Sequence, residues 1–180
     1  MLEDKLLIWK LKRGNKDGLR LLYEKYKDSL RTIAGSMLHD THATEDVLHD
    51  VFVAFAENAR QLEVRSSLKN YLITCVVNRV RDEFRRRQSR TVELDTAGPV
   101  SSGASCPERR LEADEESQIL TDALAAIPYE QREVIVLHLK GGFKFREIAK
   151  MQQTSVSTVH GRYRYGLKKL SSILDGELEK

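Results

Sequence analysis

Cysteine, proline and long apolar runs are all scarce in this 180-residue chain, and each shortage removes a class of protein. The two cysteines, Cys75 and Cys106, stand without CxxC spacing, which argues against a zinc site or a disulfide framework and leaves two incidental thiols. No apolar run approaches the ~20 residues that span a bilayer. The opening MLEDKLLIWKLKRG has no apolar core followed by a small-residue cleavage site. A cytoplasmic protein without membrane insertion is therefore expected. No phosphate-cradling glycine loop, nucleophile–base pairing or carboxylate dyad stands out, so neither catalysis nor a cofactor is expected. His42 and His49 share one helix face, but two histidines alone do not make a metal site, and none is expected.

What is abundant is charge, and it is segregated. Residues 68–90 carry seven Lys/Arg against Asp82 and Glu83, and residues 140–170 carry eight against Glu147 alone. Between them, residues 91–139 hold three Arg and ten acids, while residues 40–59 hold five acids and no Lys or Arg. Separate basic and acidic surfaces are expected when different faces meet different partners.

Apolar residues recur at helical spacing through most of the chain. Leu19, Leu22, Tyr23, Tyr26, Leu30, Ile33, Ala34 and Leu38 form one stripe, predicting a helix with one buried face. A second helix is predicted from Thr41 or His42 to about Ala59, and another from about Ser67 to Arg87 along Leu68, Tyr71, Leu72, Cys75, Val76, Val80 and Phe84. Trp9 reads as core. Residues 88–110, rich in Ser, Thr, Gly and Pro without a period, predict a flexible linker. Helical spacing resumes at about Leu111, passes Leu120, Leu124 and Ile127, restarts at Pro128 and stops at Gly141 and Gly142. The fold class is all-α, in two small helical domains: residues 1–90 and 111–180, joined by 91–110.

Residues 145–174 have the layout of a helix-turn-helix: FREIAKM, the turn Gln152, Gln153, Thr154, then SVSTVHGRYRYGLKKL. Ile148, Ala149, Val156, Val159, Tyr163, Leu167 and Leu170 form the expected core. The opposite face of the second helix displays Ser157, Thr158, His160, Arg162, Arg164, Lys168 and Lys169. Ser155 is the expected N-cap, and Thr158 with the helix N-terminus suits a backbone phosphate. Arg162 or His160 could reach base edges; Arg164, Lys168 and Lys169 suit phosphates. A solvated charged helix is the bland alternative.

The stretch AAIPYEQREVIVLHLKGGFKFREIAKMQQTSVSTVHGRYRYGLKKL resembles the fourth conserved region of bacterial sigma-70 family factors of the extracytoplasmic-function type. That resemblance implies recognition of the minus-35 promoter element by Arg146 and residues 155–164. Gln153 stands where the family usually has the glycine of the turn. ATEDVLHDVFVAFAEN, at 43–58, resembles part of the second conserved region, whose acidic helix docks on the β′ coiled coil of RNA polymerase core. Glu45, Asp46 and Asp50 make an anionic surface, which Val47 or Val51 could join; an ordinary solvated acidic face is the other reading. NARQLEVRSSLKNYLITCVVNRVRDEFRRRQ, at 58–88, resembles the segment that opens and reads the minus-10 element. Residues 58–66 would capture an unstacked base, with Asn58, Gln61, Glu63 and Arg65 as candidates. Asn78, Arg79 and the cluster Arg85, Arg86 and Arg87 would contact DNA, although an Arg triplet also makes a plain soluble helix end. Tyr71, Leu72 and Asp82 are structural, Tyr71 replacing a frequent Trp.

The expected partners are polymerase core and promoter DNA, and an anti-sigma factor could mask exposed apolar surface. Two other readings remain open on the residues alone: a helix-turn-helix regulator that binds operators without being a polymerase subunit, and a helical adaptor that binds only protein.

Overall fold

In the computed structural model, residues 2–13, 15–61, 67–94 and 115–178 are described, and all regular structure among them is helical. The helices are α1 (Leu2–Lys12), α2 (Lys16–Leu38), α3 (Thr41–Glu57), a 3₁₀ turn at Ala59–Gln61, α4 (Leu68–Leu94), α5 (Glu115–Ala125), α6 (Tyr129–Leu139), α7 (Phe145–Met151) and α8 (Val156–Leu178). α4 runs past the predicted stop near Arg87, and the linker residues 95–110 and Leu111 lie outside the described residues.

Local chemistry sets the joints of the first unit. Asn15 caps α2, its side chain accepting from the Asp17 N–H at 2.8 Å. At the other end His39 turns left-handed at φ 55, and its N–H donates to the Gly35 carbonyl at 3.0 Å. Asp40 then caps α3, which starts at Thr41 as predicted, and accepts from the Ala43 N–H at 3.0 Å. The predicted stripe of α2 is buried at Leu22, Tyr26, Leu30, Ile33, Ala34 and Leu38, against Leu48, Phe52 and Phe55 of α3 and Leu72, Ile73 and Val76 of α4. Trp9 corrects its reading as core. It is 49% exposed on α1, where the Arg13 guanidinium covers its ring at 3.9 Å.

In the second unit, α6 is buried on every side: Arg132, Glu133, Val134, Ile135, Val136 and Leu137 are six consecutive buried residues. Such a helix must have neighbours all round. Ile135 faces a cluster with Leu124, Ile127 and Leu170, while Val134, Val136 and Leu137 belong to the cluster that also holds the core of α1–α4. α8 comes so close that a Cβ on Gly166 would lie 2.9 Å from Ile135 Cδ1, which is why that position lacks a side chain. The two units thus pack on one another through α6.

Polar contacts reinforce that packing. Arg132 donates to the carbonyls of Met37 at 2.6 Å, Ala125 at 2.7 Å and Ile127 at 3.1 Å. It also reaches His39 Nδ1 at 3.1 Å, which must accept, because a guanidinium has only donors. Burial, and then the Arg132 charge, lower the His39 pKa below its ordinary 6.5; Asp122 of α5 opposes the shift. The unfolded chain therefore takes up this proton first. Stability is expected to be full above the ordinary value and to decline as pH falls from about 7 through the lowered folded value. His39→Asn, which suits the left-handed backbone and does not titrate, should flatten the dependence of Tm on pH between 7 and 5. An equal slope in both proteins would assign the effect elsewhere.

Candidate nucleic-acid interface and acidic docking face

The helix-turn-helix forms as the spacing predicts. Glu147, the one acid of the basic segment, is used locally: its Oε2 accepts from the Lys144 N–H at 2.8 Å and caps α7. Ser155 Oγ accepts from the Thr158 N–H at 3.0 Å and caps α8, and it also bonds Thr158 Oγ1 at 2.9 Å. Ile148, Ala149 and Val159 are buried between the helices. Val156 corrects its assignment to that core, being 39% exposed at the first position of α8.

The turn carries its strain at one residue. Gln153 adopts φ 51, the left-handed conformation that its Cβ disfavours. Gln153→Gly should stabilise the protein by up to about 1 kcal/mol, the relieved strain exceeding the added freedom of the unfolded chain. A denaturant midpoint at or below that of the wild type would show that the Gln side chain compensates.

Arg146, Ser157, Thr158, His160, Arg164, Lys168 and Lys169 are exposed and available to a ligand of duplex size. His160 is steadied by Phe145, whose ring centroid lies 4.4 Å away and which stacks in turn on His138 at 4.3 Å. Arg164 sits over the exposed Tyr165 ring at 5.1 Å. Arg162 differs: half-buried, it donates through Nη1 to Gln152 Oε1 at 2.6 Å and so points back toward the turn.

On α4, Asn78, Arg79, Arg85 and Arg86 are exposed. Arg85 lies 3.5 Å from Asp82, and Arg86 and Arg87 reach Glu83 at 2.6 and 3.0 Å. Arg87 also bonds Asp40, at 2.8 Å. Asn58 ends α3, donating from Nδ2 to the Ala54 carbonyl at 2.8 Å, and Gln61 is exposed in the 3₁₀ turn. Arg65 and Glu63 lie outside the described residues. Tyr71 is half-buried against Phe55, and Leu72 is buried. Burial raises the Cys75 pKa, as suits an unreactive thiol.

The acids of α3 do not form one uniform surface. Glu45 pairs with Arg31 at 2.8 Å and Asp50 with Arg79 at 2.7 Å, whereas exposed Asp46 has no ion-pair partner among the described residues. Val47 and Val51 are 3% and 5% exposed. That corrects their placement in a protein interface: α3 is flanked by both α2 and α4, so its two valines are consumed by the core. The apolar surface beside Asp46 is instead a groove of about 750 Å³ between α2 and α3, lined by Leu19, Tyr23, Leu48, Phe52 and exposed Val53.

Periodicity missed Arg81, Arg132 and Glu133. The available signal was a charged pair, Arg132 and Glu133, abutting the unbroken apolar run Val134–Leu137; a helix buried all round must bury those charges too. Among the described residues no His/Cys/Asp/Glu group could hold a metal ion, and no helix is long and apolar enough to cross a membrane.

Comparison with known proteins gives a consistent result. Residues 22–90 match the family described as sigma-70 region 2, and residues 117–170 match sigma-70 region 4. The chain is 28% identical to the RNA polymerase sigma factor CnrH of Cupriavidus metallidurans, over 98% of this chain and 97% of that protein. It is 29% identical to the ECF RNA polymerase sigma factor SigX of Bacillus subtilis, covering 84% and 80% of the two chains. Among solved structures, the sigma factor RpoE of Bartonella quintana, in complex with the anti-sigma factor NepR, superposes with a TM-score of 0.69. That match has 24% identity and covers 87% of this chain and 96% of that one. CnrH in complex with the cytosolic domain of CnrY has a TM-score of 0.65 and 24% identity, covering 97% and 98%.

Proposed function

Because this chain belongs to the sigma-70 family of RNA polymerase sigma factors, in its extracytoplasmic-function group, we propose that its two helical units divide promoter recognition along the surfaces described above. The protein is a sigma factor: it binds RNA polymerase core and directs promoter-specific initiation, region 2 reading and opening the minus-10 element and region 4 reading the minus-35 element. The region 2 unit runs to the end of α4 at Leu94, the linker follows it, and residues 111–180 form the region 4 unit. It acts in the cytoplasm, without chemistry of its own.

On α8 and α7, Ser157, Thr158, His160, Arg164 and Arg146 contact the minus-35 duplex, with Arg162 joining them once it leaves Gln152. Asn58, Gln61 and Arg65 meet the melted strand, and Asn78, Arg79, Arg85 and Arg86 hold DNA along α4. Glu45, Asp46 and Asp50 face the β′ coiled coil. Relatives are recorded in complex with anti-sigma proteins, which supports a similar masking partner for this chain.

One observation carries this reading: an exposed, capped recognition helix and an exposed acidic α3 face occur on the same chain. An operator-binding regulator has no use for the second. Reconstitution with bacterial core polymerase on a promoter library tests it. Specific initiation dependent on the chain is expected; dimeric operator binding without any core association would overturn it.

A further inference from the structure

A glycine inside a helix destabilises it relative to alanine, because the unfolded chain has more freedom to lose and the helix gains no side chain to pack. Two such glycines in this fold are explained by their surroundings. A Cβ on Gly18 of α2 would lie 3.0 Å from the backbone of α1, and one on Gly166 of α8 would lie 2.9 Å from Ile135 of α6. Gly161 has no such reason. It is the sixth of the 23 residues of α8, and a Cβ there would meet no neighbouring element, and no side chain three or four residues away, within 4 Å. Gly176 is equally bare, but it lies in the last turn of α8, where a fraying end tolerates glycine.

The side chains one turn from Gly161 are Ser157 and Thr158 on one side and Arg164 and Tyr165 on the other, all exposed. The opposite side of α8 is fixed by fully buried Val159 and by Tyr163, whose ring lies 5.1 Å from that of Phe145. The bare position is thus held at the centre of the face that the sigma reading, on which this proposal rests, turns toward the minus-35 duplex. Long side chains on a helix lean back toward its N-terminus, so Arg164 and Tyr165 rise beside Gly161 rather than beyond it. The Arg164 guanidinium lies 5.1 Å from the centre of the Tyr165 ring, which is 59% exposed and belongs to neither core cluster. Together these residues make a notch with a floor of backbone, hydroxyls on one wall, and a ring and a cation on the other.

Inside a helix the N–H and C=O of Gly161 serve the backbone ladder, so the floor offers room and no hydrogen bond. It discriminates by shape. The donors and acceptors that base pairs display in the major groove call for polar partners, whereas the thymine C5-methyl calls for apolar contact. We infer that Gly161 is a specificity-determining residue of the recognition helix, its notch beside Tyr165 receiving the C5-methyl of one thymine in the minus-35 element.

The test binds holoenzyme, made from core polymerase and the full-length chain, to the duplex it selects from a promoter library, with each minus-35 thymine replaced in turn by deoxyuridine. Deoxyuridine lacks only the methyl. At one position wild type should lose about fourfold in affinity, the value of one buried methyl. Gly161→Ala fills the notch: it should lose about tenfold on the thymine duplex, as overpacking does, and should bind the deoxyuridine duplex at that position more tightly than the thymine one. Its denaturant midpoint should rise above that of wild type, which separates lost binding from lost folding. Tyr165→Ala should shrink the deoxyuridine effect without moving its position. The notch is overturned if no thymine methyl matters, if Gly161→Ala binds the thymine duplex as tightly as wild type, or if it loses equally on both duplexes, as contact with a sugar–phosphate strand would produce. Core binding is measured before DNA is added, so a chain that never binds core sinks the sigma reading alone. Selection from a random duplex pool by the free full-length chain then puts the same question to Gly161.

Discussion

Asp46→Lys is expected to weaken binding to core polymerase by one to two orders of magnitude while leaving duplex binding by the region 4 unit unchanged. Of the three acids on α3, Glu45 is answered by Arg31 and Asp50 by Arg79, so Asp46 projects the least compensated charge. It also borders the groove in which Val53 is exposed, so it can be partly desolvated by a partner. Reversing a charge at such a point replaces an attraction by a like-charge contact, worth about 1.4–2.8 kcal/mol for that range of affinity. The loss should shrink at high salt. Thermal stability should stay within about 0.5 kcal/mol of wild type, because the side chain is exposed and has no ion-pair partner among the described residues. Asp50→Lys would be a poorer probe, since it places an ammonium against Arg79 and disturbs the α3–α4 contact as well. Wild-type affinity for core in Asp46→Lys would remove this face from the interface.

The helices of this protein were legible because most are amphipathic at steps of three and four. The stripe of α2, the start of α3 and the extent of α7 all follow from apolar spacing and breaks in it. Ser155 was recognisable as a cap because Ser followed by a helical pattern has one efficient use. Periodicity failed where a helix has more than one neighbour. α3 has apolar residues on two sides, and which side is buried depends on α2 and α4 together, so Val47 and Val51 went to the core and Val53 remained outside. Trp9 failed for the converse reason: it lies on a side of α1 that the core does not reach, where the Arg13 guanidinium covers its ring. The docking of the two units was not legible at all: Arg81 and Glu133 are separated by a polar stretch that reads as a linker, and their pairing is long-range in sequence.

Arg132→Ala should be the most damaging single change to stability, costing about 3–5 kcal/mol. This guanidinium is buried with no carboxylate partner among the described residues, an arrangement that would ordinarily be prohibitive. Its acceptors explain how the fold tolerates it. The Met37 carbonyl lies in the last turn of α2 and the Ala125 carbonyl ends α5, so the cation sits between the negative ends of two helix dipoles and satisfies carbonyls that those helices leave unpaired. Alanine would leave those carbonyls buried without donors. Arg132→Met should recover packing but not hydrogen bonds. Arg132→Lys should keep the charge and lose the fork, falling between wild type and alanine. Chemical denaturation gives the ranking, and an alanine variant within 1 kcal/mol of wild type would mean water replaces the guanidinium. Since Met37 belongs to one unit and Ala125 to the other, the first consequence of losing Arg132 should be loosened docking, visible as an expanded but still helical protein before either unit unfolds.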